Sequence, residues 1–88
     1  MRTLAFCVYD RAARAYSPPF YQQTRGLAER VFAGLCTDPE TTVAKNPGDF
    51  ELYEVGAFDT ETGKLEVSEP VLLTTAVQTL SLRAVGNG

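Results

Sequence analysis

Hydrophobic and polar positions along the chain change period several times, and each change marks an element. From Thr3 to Tyr9, Leu4, Phe6 and Val8 alternate with Ala5, Cys7 and Tyr9, so both faces are apolar. That is the pattern of a central strand covered on both sides. In TRGLAERVFAGLC, Leu27, Ala28, Val31, Phe32 and Leu35 recur at helical spacing, while Arg25, Glu29 and Arg30 lie away from them. This predicts an amphipathic helix. Thr24 is placed to cap it, because a hydroxyl can accept a free N–H of the first turn. Asp38-Pro39 should stop it, since the residue before proline avoids the helical region. Asp38 is also placed to cap a further short turn with Pro39 in its first position, ending at Asn46-Pro47.

The stretch FELYEVGAFDTETGKLEV predicts a β-hairpin. Leu52, Tyr53, Val55, Ala57 and Phe58 form its first strand, DTETG its turn, and Leu65 and Val67 its return. Gly63 is available for a positive φ in the turn. Gly56 marks a bulge or a close contact, and Pro70 either ends the return strand or confines it to an edge. Residues 71–82 fit two readings: Leu72, Ala76, Val77 and Leu80 suit a short helix, and the threonine–valine run suits a strand. The predicted class is α+β, a small three-stranded, mainly antiparallel sheet with one packed helix, in the order β-α-β-β plus a short C-terminal element. A parallel pairing across the helical crossover would be right-handed. At this length the expectation is a single domain over residues 1–88, with a mobile tail over about residues 84–88.

Residues 10–23, DRAARAYSPPFYQQ, break the pattern. Pro18 and Pro19 sit among Tyr16, Phe20 and Tyr21. Consecutive prolines remove two backbone donors and are excluded from helix interiors and central strands. The segment is a stiff connection whose rings either fold back on the core or are displayed to a partner.

Charge sharpens this. Residues 1–37 hold five arginines against two carboxylates, and residues 38–88 hold three cations against nine carboxylates, which together make the net charge of −3. Such a split fits an anion-binding face, or two halves that attract one another. Cys7 and Cys36 are far apart and read as buried hydrophobes rather than a disulfide. No run of eighteen apolar residues occurs, and the N-terminal apolar run breaks at Asp10, so it reads as a strand and no membrane partner is expected.

Catalytic and metal chemistry find little support. The chain has no histidine, which removes the commonest general base near neutral pH. It has no glycine-rich phosphate loop and no nucleophile elbow, and Ser17 and Cys36 lack an evident base. Asp59, Glu61 and Gly63 resemble the start of a calcium loop, but glycine stands where the fifth position needs an oxygen ligand. The expectation is a non-enzymatic protein without metal or cofactor. What remains is the interleaving of Arg11, Arg14, Tyr16, Tyr21, Arg25 and Arg30, together with Tyr9 and Phe20. Proteins that bind single-stranded DNA combine cations with rings on which bases stack. The competing reading has Phe20 and Tyr21 covering the helix and the arginines paired with carboxylates.

The order and spacing of Val8-Tyr9-Asp10, Pro18-Pro19-Phe20, Asp38-Pro39, Asp49-Phe50, Leu52-Tyr53, Gly56 and Phe58-Asp59 carry a resemblance over about residues 3–80. The chain resembles the small nonstructural protein of gokushovirus-type microviruses, which are single-stranded DNA phages. The resemblance implies a nonstructural, DNA-binding accessory protein in the cytoplasm of a bacterial host. Its implied role is to assist genome replication or the switch to packaging. The alternative is an interaction module that binds a phage or host replication or packaging protein without touching DNA. A homo-oligomer is also expected, most simply a dimer, because one helix can cover only one face of the apolar first strand.

Overall fold

The computed structural model describes residues 1–86. Five strands form one sheet: β1 (Arg2–Asp10), β2 (Ala15–Tyr16), β3 (Phe20–Gln22), β4 (Phe50–Asp59) and β5 (Leu65–Thr75). Three helices accompany it, α1 (Arg25–Thr37), α2 (Thr42–Lys45) and α3 (Ala76–Gly86), with a 3-10 turn at Pro47–Asp49. The strand order is β2-β1-β4-β5, with β3 beside β2 on the same edge of β1, and every pairing is antiparallel.

This corrects the expected three-stranded sheet with one helix. The two additional strands are two and three residues long, too short for alternation to show. The third helix begins directly where β5 ends, so one apolar segment carries both a strand and a helix. The parallel crossover does not occur either. β4 enters antiparallel to β1 from Phe50 against Asp10 to Asp59 against Arg2.

The proline pair divides the edge strand into β2 and β3. Ser17 N donates to Val8 O at 2.8 Å, and Val8 N donates to the Ser17 hydroxyl at 2.9 Å. A side chain thus takes over the ladder where the two prolines interrupt it. On the far side Phe20 joins the core and lies 5.7 Å from Phe6, ring centre to ring centre.

α1 starts as its sequence indicates, with the Thr24 hydroxyl accepting from Leu27 N at 3.1 Å. Its buried stripe is Ala28, Phe32, Ala33 and Cys36, whereas Leu27 and Val31 are rotated outward. The second turn is displaced from its expected start: Thr41, not Asp38, caps α2, and Asp38 instead accepts from Glu40 N in an Asx turn. Phe6, Phe32 and Leu52 are fully buried and center the core, which Ala28, Cys36, Val43 and Ala76 complete. Both long helices therefore lie on the same face of the sheet.

Between Ala5/Gly56 and Phe6/Glu54 the β1–β4 register shifts, and Val55 is the extra residue. Across the same bulge a Cβ on Gly56 would stand 2.2 Å from the Glu66 carbonyl oxygen, so only glycine fits there. Gly63 adopts φ 73 in the hairpin turn. β5 continues past Pro70 as an edge strand, with Ser68, Glu69 and Pro70 bulged between the pairs Gly56–Val67 and Glu54–Val71. Cys7 and Cys36 are both free and buried, and burial raises the pKa of each thiol. Of the tail expected over residues 84–88, Asn87 and Gly88 lie outside the described residues.

Candidate functional site

Side chains alternate across a strand and cross-strand partners share a face, so the register sorts the sheet into two sides. Leu4, Phe6, Val8, Phe50 and Leu52 point toward the helices. The other side carries Thr3, Ala5, Cys7 and Tyr9 of β1, Tyr16 and Tyr21 of the divided edge strand, Glu51, Tyr53 and Phe58 of β4, and Leu65, Val67 and Leu72 of β5. No described helix covers this side.

Its rings form a track. Tyr9, Tyr16 and Tyr53 make a closed triangle, with ring centres 4.6, 5.9 and 5.5 Å apart. Tyr21 and Phe58 form a second group at 6.0 Å. In the register these rings occupy the rows of Tyr9, Cys7, Ala5 and Thr3. Six residues of strand separate the ends, about 20 Å. Small Ala5 and Cys7 lie between the rings and are buried among them. Tyr16 and Tyr21 nevertheless remain 46% and 41% exposed. A cleft of about 370 Å³ opens between Tyr21, Phe58 and Leu65, with Thr3 and Thr60 beside it. Desolvation first, and then the neighbouring Glu51 carboxylate, raise the Tyr53 pKa.

The arginines separate. Arg11 and Arg14 lie in the β1–β2 turn, at the end of the track that Tyr9 and Tyr16 form. Asp10 organises that turn by accepting from Ala12 N and Ala13 N. Arg11 also reaches the Gly48 carbonyl at a long 3.4 Å. Arg14 adopts φ 55, a left-handed conformation that costs a non-glycine residue roughly 1–2 kcal/mol. Arg25 and Arg30 are on α1, behind the sheet. Arg25 is held by Glu54 at 2.5 Å, and this hydrogen bond with its charge raises the Arg25 pKa. Of the six residues singled out in the sequence, Tyr16 and Tyr21 share the open face in separate ring groups, Arg11 and Arg14 sit in the turn at the Tyr16 end, and Arg25 and Arg30 lie behind the sheet.

Sequence reasoning missed Tyr53 and Phe58 as surface groups, because both sat in a hairpin whose faces it could not assign. It also treated the missing cover on β1 as a general deficit rather than as a site. The larger concavity, about 530 Å³, lies elsewhere, on the helix side between Val8, Phe20, Val31, Leu35, Val43 and Phe50. It is a partly packed extension of the core: Tyr16, Phe20 and Phe50 line it among aliphatic side chains, and its one charged lining residue is Asp10, so it offers no cation to an anionic ligand.

Among the described residues, no group of three or more histidine, cysteine or acidic side chains is placed to hold a metal ion. No helix among them is long and apolar enough to cross a membrane.

The family described as "Phage ORF5 protein" matches residues 3–79. The chain belongs to this family. Nearly every element that builds the open face falls inside the match, from β1 through β5, so the ringed face is part of the family domain and not an appendage. No curated protein and no solved structure matches the chain.

Proposed function

We propose that this phage protein is a nonstructural, non-enzymatic accessory factor that binds single-stranded DNA on the open face of its sheet. The observation that carries the reading is the track of five rings on a face no described helix covers. Bases of an unpaired strand stack on such rings, each stack being worth roughly 1–3 kcal/mol. Each register row advances the track by about twice the 3.4 Å spacing of stacked bases in a duplex strand, a step suited to an extended strand. Arg14, and to a lesser degree Arg11, meets phosphate at one end. Arginine kept in a left-handed turn, where asparagine or glycine would be less strained, is accounted for by such a contact.

The motifs that resemble gokushovirus-type microviruses support a microviral origin, action in the bacterial cytoplasm, and a role in replication or in the switch to packaging. A protein partner is the second reading. The specific observation in its favour is that, of the paired residues on this face, Glu51 is the only charged one among the described residues.

Salt titration of the affinity for a thymidine homopolymer tests the proposal. With two arginines at the site, the slope of log affinity against log salt should be about −1.4, where five arginines would give about −3.5. Most of the affinity should survive added salt because stacking supplies it. Absence of binding at low salt overturns the reading.

A further inference from the structure

Stacking accounts for only half of the open face. The β5 half carries Leu65, Val67 and Leu72, exposed to 65%, 93% and 48%, with no ring to stack on and no cation to meet phosphate. Exposed apolar side chains cost free energy in water, and an apolar strip beside a row of rings is the composition of an interface core.

Two observations limit what can cover it. Both sheet edges are blunted: Pro18-Pro19 divides one, and the Ser68-Glu69-Pro70 bulge interrupts the other. Strand addition at an edge, the usual route of sheet-to-sheet association, is therefore obstructed on both sides. The face itself is nearly uncharged, with Glu51 at the Tyr9 end and none at the Leu65 end. A two-fold axis lying between the two faces and running across the strands puts the two copies of Glu51 at opposite ends, so self-association in that orientation meets no like-charge clash. The footprint also suffices. β4 is ten residues long and four strands lie abreast, on the order of 600 Å² before side-chain relief is counted. Stable interfaces bury about 800 Å² per partner.

We infer that the open face takes a second copy of this chain, forming a two-fold, face-to-face sheet sandwich with the helices outermost. Sheets packed in this way interdigitate side chains at about 10 Å separation. Because this sandwich hides the ring track, the dimer and the DNA complex exclude one another. That exclusion rests on the function proposed above, whereas the dimer does not. DNA then draws protein out of a closed store, and protein concentration sets how much of the face is free.

Light scattering of the full chain across the micromolar range, with and without a thymidine homopolymer of about 16 nucleotides, is the test. The wild-type mass should approach twice 9.6 kDa as concentration rises. Val67→Lys should remain at one chain over the same range with an unchanged circular dichroism spectrum, and should bind the oligonucleotide several-fold more tightly. Leu65→Lys serves the same purpose if Val67→Lys fails to fold. Adding oligonucleotide to the wild type should dissolve the dimer. A wild-type mass of one chain at every concentration overturns the dimer, and dimerisation of both variants as tight as wild type overturns the face. Oligonucleotide bound to an intact dimer overturns the exclusion. A dimer broken by Val67→Lys with no oligonucleotide bound by either protein upholds the sandwich and removes the DNA reading alone.

Discussion

The two faces of the sheet are built from the same strands by alternation, yet they follow different rules. The helix-side face buries Phe6 and Leu52 completely against Phe32. The other face hides its small residues, Ala5 and Cys7, keeps Tyr9, Tyr53 and Phe58 half-buried, and leaves Tyr16, Tyr21, Leu65, Val67 and Leu72 in water. β1 shows the contrast within four residues, since Phe6 is fully buried while Tyr9 is half-buried in a triangle whose Tyr16 is exposed. An apolar pattern on both faces of a strand thus does not mean that both are covered within one chain. Stability resides on one side, and the recognition proposed above would reside on the other.

Breaking the covered side should have the largest effect. Phe32→Ala removes a fully buried ring from the center of the core and should cost about 3–5 kcal/mol, enough to consume much of the stability of a domain this small. Thermal and denaturant melts read it directly, and a melt unchanged within error would deny that α1 closes the core.

The open side should respond in the opposite manner. Tyr16→Ala loses one pair of ring contacts at an exposed strand and should cost no more than about 1.5 kcal/mol of stability. Its loss in affinity for single-stranded DNA should be about 1–3 kcal/mol, or roughly 5- to 150-fold. Comparing melts with fluorescence anisotropy separates the two quantities. A Tyr16→Ala protein that melts like Phe32→Ala would show that the ring is structural.

The finest division of labour falls on a single residue. Arg14→Asn replaces a strained left-handed residue by one that tolerates the conformation. It should raise stability slightly, by up to about 1 kcal/mol, while weakening DNA binding at low salt. A variant that gains stability and keeps its full affinity would leave Arg14 without a role at the site. Arg25→Glu sharpens the point from the other side. Its guanidinium is engaged by Glu54 behind the sheet, so this change should disturb the helix-side surface and leave the DNA affinity nearly intact.

Much of the local structure was legible in the chain. Thr24 announces the start of α1 and Gly63 the hairpin turn, because each depends on a hydroxyl or a missing Cβ acting within its own few residues, and Gly56 announces a close approach, which is made across the hairpin to Glu66. The segment 71–82 was legible only as an ambiguity, and it proved to be strand to Thr75 and helix from Ala76. The position of Leu27 and Val31 was misjudged because helical spacing defines a broad apolar arc, and only the docking angle of α1 decides which part of it faces Phe6. The three-residue β3 was invisible for a simpler reason: a strand of that length exists only by pairing with β1.

Sequence alone determined the apolar repeats, the caps, the positions where glycine or proline governs the backbone, and the crowding of rings and arginines around Pro18-Pro19. These are properties of neighbours along the chain, set by backbone sterics and short-range hydrogen bonds. Which side of the sheet the helices take, and so which rings remain in water, was decided only by the tertiary structure. That choice depends on register across strands more than forty residues apart, such as Tyr9 against Glu51 and Cys7 against Tyr53, and a shift of one residue would exchange the two faces. The same long-range pairing carried Arg25 behind the sheet and kept Arg14 at the end of the ring track.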